Sequence, residues 1–299
     1  MPKQALITSK DPKGLHAVGL FEAAYNKAGL DENRAQCLNE NGGEFQAAIR
    51  EAIVRFSTPN QFADEEGESK YTYPPEYKGP KPIAGQITAI AEIFGLDPAK
   101  AFGYAKKLPQ LPEGAEGWFA IPSLAAVAKK HFPEVADPAE QYCRAVQLIH
   151  AKIAAAREFH NYREGQITPA QLRLHVRTAE FLAQVSDMQP ESDILIVAGQ
   201  LGLRHRCKSV RRSREVFVAN EYGFGSLING AIVLTHPERL VRFEELDMDC
   251  AGDEFSLGAD GSFDDAPCFL FVGGEVGFGT GVVSCFGGRF GSPSGFLPQ

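Results

Sequence analysis

Apolar residues recur at helical spacing through the first 57 positions. Leu15 to Ala28 carries one such stripe and ends at Gly29. Asp31 stands where it can cap a second helix, and Phe45, Ala48, Ile49, Ala52, Ile53 and Phe56 mark the face of a third. The pattern stops at Thr58. From there to Pro82 come five prolines, three tyrosines and an acidic patch at Asp64, Glu65, Glu66 and Glu68. That stretch has too little apolar surface to pack alone, so it predicts a linker or an extended arm anchored by its tyrosines.

Helical signals return at Ile83 and persist to about Met188. Asp97-Pro98, Asp137-Pro138 and Thr168-Pro169 each place a capping side chain before proline, and Glu140 completes the second of these starts. Tyr142, Val146, Ile149 and Ile153 give a long helix from Asp137 toward Tyr162. Leu172, Val176, Ala179, Leu182 and Ala183 give its successor a face, and the short connection predicts an antiparallel pair. Pro112 to Pro122 interrupts as a loop that inserts Trp118 and Phe119 into the core.

After Pro190 the period shortens. Asp193–Ala198 reads as a buried strand, and Leu227–Thr235 (LINGAIVLT) as another, with a helical turn at His236–Leu240. Pro267–Val272 and Val276–Phe286 follow as strands, with turns at Asp260-Gly261 and Gly273-Gly274. The expected class is α+β, a helical N-terminal part followed by a mixed, mainly antiparallel, β-rich C-terminal part. The expected boundaries are a helical segment 1–57, a Pro/Tyr-rich acidic linker or arm 58–82, a helical domain 83–190, and an α+β domain 191–299 with a Gly-rich C-terminus.

Charge adds a second pattern. The formal net charge is −8, yet Arg204, Arg206, Lys208, Arg211, Arg212 and Arg214 crowd into Gly202–Glu215. Phe243 to Gly288 carries ten acids and neither Lys nor Arg. A net acidic chain repels nucleic acid at long range, which argues against a protein that coats it. If Leu203–Glu221 is one helix, Leu203, Cys207, Val210, Phe217 and Val218 share an apolar face. Arg204, Lys208, Arg211 and Arg212 then form a ridge, and Arg214 turns toward the core. Such a ridge suits a phosphate backbone. The competing expectation is that residues 244–265 fold back and neutralise it, within one chain or between subunits.

Asp247, Asp249 and Asp253, with His236 and Glu238 nearby in sequence, are the candidates for a hard-cation site. An EF-hand fails because Ala251 and Gly258 occupy liganding positions. A solvated acidic edge that discourages strand pairing is the plainer account of these acids. GxSxG, Walker A and HExxH patterns do not occur. Gly199–Gly202 lacks the GxGxxG pattern but could present backbone N–H groups to an anion where the basic helix begins. The six cysteines are scattered and read as small buried apolar residues. The segments Gly202–Arg214, HPERL, DCAGDEFS and SGFLPQ resemble uncharacterised hypothetical proteins of candidate-phylum bacteria. The resemblance covers the C-terminal third and implies no fold, activity or site.

The expected function is polyanion binding, to RNA or DNA, through Arg204, Arg206, Lys208, Arg211 and Arg212. One alternative is an assembly protein that self-associates by pairing its basic and acidic surfaces; another is a metal-dependent phosphodiesterase. No cofactor, bound metal or membrane partner is expected, and the apolar pattern suits a cytoplasmic protein.

Overall fold

Proline at the first helical position opens α1 (Pro12–Lys27). Asp31 caps α2 (Glu32–Glu40), accepting from the Arg34 N–H at 2.8 Å, and α3 (Gly42–Ser57) follows. The computed structural model describes residues 7–57, 61–258 and 261–298. Contacts divide the chain into two units, Met1–Gln61 and Phe62–Gln299. In the first, Phe21 meets Phe45 with ring centroids 6.2 Å apart.

The second unit opens with irregular backbone from Phe62 to Pro82. One short 3-10 turn at Ala63–Glu65 interrupts it, Tyr77 is buried and Tyr73 packs on the core. There follow α4 (Ile83–Phe94), closed by Gly95 at φ 67°, then α5 (Ala99–Ala105), β1 (Gly117–Pro122) and α6 (Leu124–His131). Asp137 caps the long α7 (Pro138–Ala156), accepting from the Glu140 N–H at 3.1 Å. Then come β2 (Phe159–Asn161), β3 (Leu172–Leu174), α8 (Val176–Met188), β4 (Ile194–Gln200) and α9 (Val210–Val216). The remainder is β5 (Glu221–Gly223), α10 (Ser226–Thr235), β6 (Asp247–Asp249), β7 (Asp253–Phe255), β8 (Asp265–Val272), β9 (Glu275–Val282), β10 (Phe290–Gly291) and β11 (Ser294–Phe296). Helices dominate early and strands late, so the fold is α+β.

Two sheets organise the second unit. One is antiparallel throughout, in the order β1-β4-β11-β5. The other is built on β8, which pairs with β9 along one edge and with β6 and β7 along the other. Gly273 and Gly274, at φ 66° and 91°, form the two-residue turn between β8 and β9. β10 and β2 extend this sheet as parallel neighbours of β6 and β9, and β3 joins β7. Helix α10 touches β1 of one sheet and β8 of the other, and lies against α7.

Several local expectations change. LINGAIVLT forms α10 and not a strand, because it is buried almost all round and an unbroken apolar run carries no period to separate the two. The Pro112–Pro122 loop contains β1, whose edge position tolerates Pro122. Thr168-Pro169 starts a single turn, with the Thr168 carbonyl accepting from Gln171 and Leu172 N–H, after which Leu172 enters β3. Helix α7 stops at Ala156, and its main helical partners are α10 and α6, not α8. β9 ends at Val282, short of Phe286. The turn at Asp260-Gly261 lies partly outside the described residues. Among the described residues no helix is long and apolar enough to cross a membrane.

The α7–α10 contact is the tightest test of this packing. A Cβ at Gly230 would collide with Ile149 Cγ2. Gly230→Ala is therefore expected to lower stability by about 1–3 kcal/mol, despite alanine's better helix propensity. Urea unfolding measures this; a stabilised variant would contradict the packing.

Candidate functional site

The basic segment does not form one helix. Gly202 turns the chain at φ 119°, a 3-10 turn covers Leu203–His205, and Cys207 sits in the left-handed region at φ 56°. Its backbone is committed elsewhere: the Cys207 N–H donates to the Phe290 carbonyl at 2.9 Å, and its carbonyl accepts from the Gly67 N–H at 2.9 Å. Ser209 then caps the short α9, accepting from the Arg212 N–H at 2.9 Å. The expected helix Leu203–Glu221 is thus broken by cross-chain bonding that periodicity does not register. Gly199–Gly202 likewise leads only into that three-residue turn, too short to offer an anion site.

Five of the six cations of the segment bond through their side chains. Arg211 holds both oxygens of Glu65, and Arg212 holds both oxygens of Glu66 at 3.0 and 3.1 Å. Arg206 donates to the Tyr71 carbonyl at 3.0 Å, and Lys208 forms a backbone bridge with Glu66. Arg204 lies 3.4 Å from Glu221. Arg214 turns inward as expected, but it donates to the carbonyls of Ala251 and Asp253, not to a carboxylate. The acids that meet Arg211 and Arg212 therefore come from the proline-rich arm and not from residues 244–265.

Glu65 is buried, and hydrogen bonds from Arg211 outweigh that burial and hold its carboxyl below the usual range, with the Ser209 hydroxyl donating as well. Burial lowers the pKa of His205 against the opposing pull of Glu221, whose carboxylate sits 2.6 Å from its Nε2. Burial pushes Glu221 up, but donors from His205, Ser294 and the Val218 N–H prevail, and its pKa falls below the ordinary value. Arg204, Arg211 and Arg212 are thus matched to carboxylates within the chain.

The arm and basic segment together grip the loop 283–290. The Ser209 N–H donates to the Glu65 carbonyl at 2.8 Å, and the Arg211 N–H to the Val283 carbonyl at 2.9 Å. The Ser69 hydroxyl donates to the Gly288 carbonyl, and Gly67 leaves only enough room for the Phe286 ring. The loop's far side is fixed through Cys207 and Phe290. The segment read as a ligand ridge thus positions a loop.

Beneath that loop lies a cavity of about 210 Å³ on the outer face of the β8 sheet. Cross-strand register builds it: Asp249 stands opposite Cys268, and Ala266 opposite Gly281. Val210 of α9, Phe286 and Phe290 complete the wall. Tyr162 and Leu270 cover Gly277 and Gly279 of β9, whereas a Cβ at Gly281, on the cavity wall, would meet nothing within 4 Å.

The acids singled out from sequence separate in this structure. Asp247 is held by Arg289 and the Phe271 N–H, with burial raising its pKa to about 6 against those donors. Asp253 accepts from Tyr142 and from the Ser226 hydroxyl and N–H; burial nevertheless raises it to about 6. His236 is a core residue that accepts from the Lys81 N–H at 3.0 Å, and burial lowers its pKa to about 4. Among the described residues no group of three or more His, Cys, Asp or Glu could hold a metal ion. The carboxylate of Asp249 accepts no hydrogen bond and makes no ion pair among the described residues. Burial, and then the charge of Asp247, raise it to about 7. Cys268 beside it is pushed far up by burial and remains a thiol.

A larger pocket of about 490 Å³ borders Arg204, but Glu113 shares its wall and Arg204 is already paired with Glu221. Its charges cancel. The Asp249 cavity combines a mainly apolar wall with an ionisable group that has no partner among the described residues, which makes it the stronger candidate. Sequence reasoning noted Asp249 for a metal and missed the cavity, which is assembled from β6, β8, β9, α9 and the 283–290 loop. No protein-family model, curated protein or solved structure matches this chain.

Glu65→Ala is expected to cost about 1.5–3 kcal/mol, because it removes a buried charge-assisted network. Glu66→Ala, on a more exposed acid, should cost less than about 1 kcal/mol. The Glu65 contribution is complete above the unfolded carboxyl pKa of about 4.3 and fades as pH falls through the lower folded value. Thermal melts at pH 7 and pH 3 check both the order and the sign. Equal losses for the two variants would contradict the assignment.

Proposed function

We propose that this protein binds a small, mainly apolar molecule in the cavity beneath residues 283–290, with Asp249 as the polar contact. The observation that carries the reading is the half-buried, unpaired carboxyl of Asp249 on the mainly apolar wall of a half-open cavity of about 210 Å³. An engineered apolar cavity of about 150 Å³ admits benzene, so a ligand with one substituted ring is the matching size. Binding, and not catalysis, is the favoured use, since Cys268 is a protonated thiol and no general base is bonded to it. Toluene is the simplest probe. It should shift the amide resonances of Thr280–Val282 saturably at millimolar concentration, and Gly281→Leu, which places a side chain in the open space, should abolish the shifts. No response in the unmodified protein would end this reading.

Polyanion binding, to RNA or DNA, through Arg204, Arg206, Lys208, Arg211 and Arg212 is a second reading. It is favoured by the side-chain exposure of Arg211, 52% even while paired. It requires phosphate to compete with Glu65 and Glu66 for the same guanidinium groups. Replacing Arg204, Lys208, Arg211 and Arg212 together should then remove salt-sensitive retention on immobilised nucleic acid. Unchanged retention, or none in the parent protein, would count against it.

A further inference from the structure

Asp249 also restricts the charge of whatever occupies the cavity. Asp249 is half-buried on the cavity wall, and a carboxylate drawn partly out of water is stabilised by a proton, hydrogen-bond donors or a cation. The surrounding elements supply no donor. On β6, the neighbouring titratable group is Asp247, whose own charge opposes ionisation of Asp249. On β8, Cys268 is a neutral thiol. The nearby guanidinium groups are engaged elsewhere, Arg289 with Asp247 and Arg163 with the Thr280 hydroxyl at 2.9 Å. From α9 the cavity receives the apolar Val210, and from the loop the Cys285 thiol and the rings of Phe286 and Phe290. The cavity is therefore a place where negative charge is available and positive charge is missing.

We propose that the ligand of this cavity is a compact organic ammonium ion, its head against Asp249 and its ring-sized apolar body beneath Phe286 and Phe290. The inference rests on the cavity's being a binding site and adds the charge class. An ammonium head would replace the proton on Asp249 as its partner, and the apolar body would rest against Phe286 and Phe290. A carboxylate ligand of the same shape would meet like charge. A neutral ligand would leave Asp249 protonated and gain only contact area. Release of the Asp249 proton on binding makes recognition pH-dependent: affinity for the cation rises with pH up to the pKa of the free site and then levels.

Three probes of one shape separate these cases: toluene, benzylammonium and benzoate, followed through the Thr280–Val282 amides of the full chain between pH 5.5 and 8.5. Benzylammonium should bind at least about tenfold more tightly than toluene at pH 8, and weaken toward about tenfold per pH unit below the Asp249 pKa. Benzoate should not bind at pH 8. Asp249→Asn should remove both the preference for the cation and its pH dependence while toluene still binds, which also shows that the variant is folded. Toluene binding with no preference for benzylammonium, or a preference that survives Asp249→Asn, overturns the charge assignment and leaves the cavity reading intact. If neither toluene nor benzylammonium binds, both fall.

Discussion

Charge removed from water must be met, and the second unit meets it with backbone and side chains drawn from distant parts of the sequence. Arg239 is fully buried, donating to the carbonyls of Leu201 and Leu246 and lying over the Tyr73 ring. Glu221 collects His205, Ser294 and Arg204, while Asp253 collects Tyr142 and Ser226. These matches join the arm, both sheets and the segment between β4 and β5 into one body. Asp249 stands outside the scheme, half-buried and left without a donor among the described residues.

The contact between Glu65 and Arg211 connects the general constraint to that exception. It fixes the proline-rich arm to α9, and the arm with α9 holds the loop whose phenylalanines roof the cavity. A long-range electrostatic pairing therefore shapes a site in which it takes no direct part. Rigid support of this kind is what a small binding site requires, since an enclosure that collapses or opens by an ångström loses its selectivity.

Much of the helical half was legible. Asp31 and Asp137 cap the helices their positions predict, and the α7 stripe of Tyr142, Val146, Ile149 and Ile153 is buried. The hairpin turn at Gly273-Gly274 was equally plain, because only glycine takes two successive positive φ values cheaply. Failures came where tertiary demand overrides local pattern. LINGAIVLT reads as a strand until burial on every side makes it a helix. The run from Leu203 to Glu221 has helical periodicity, yet Cys207 spends its N–H and carbonyl on Phe290 and Gly67, from opposite ends of the chain. The basic cluster was conspicuous as composition, but its partners, Glu65 and Glu66, lie about 146 positions away, where one-dimensional charge patterning has no reach. Asp249 was noticed beside Asp247 as a candidate cation ligand. That one of this pair is matched and the other is not depends on which neighbours the sheet supplies.

The central claim is that Asp249 holds its proton near neutrality because the fold gives it no partner. A ¹³C titration of the aspartate carboxyl resonances in the intact, ligand-free protein, with Asp249 assigned by its absence from Asp249→Asn, tests this directly. The account predicts a midpoint near about 7 for this group. A midpoint in the ordinary aspartate range, near about 4, would mean that the carboxylate is solvated or partnered after all, and would contradict it.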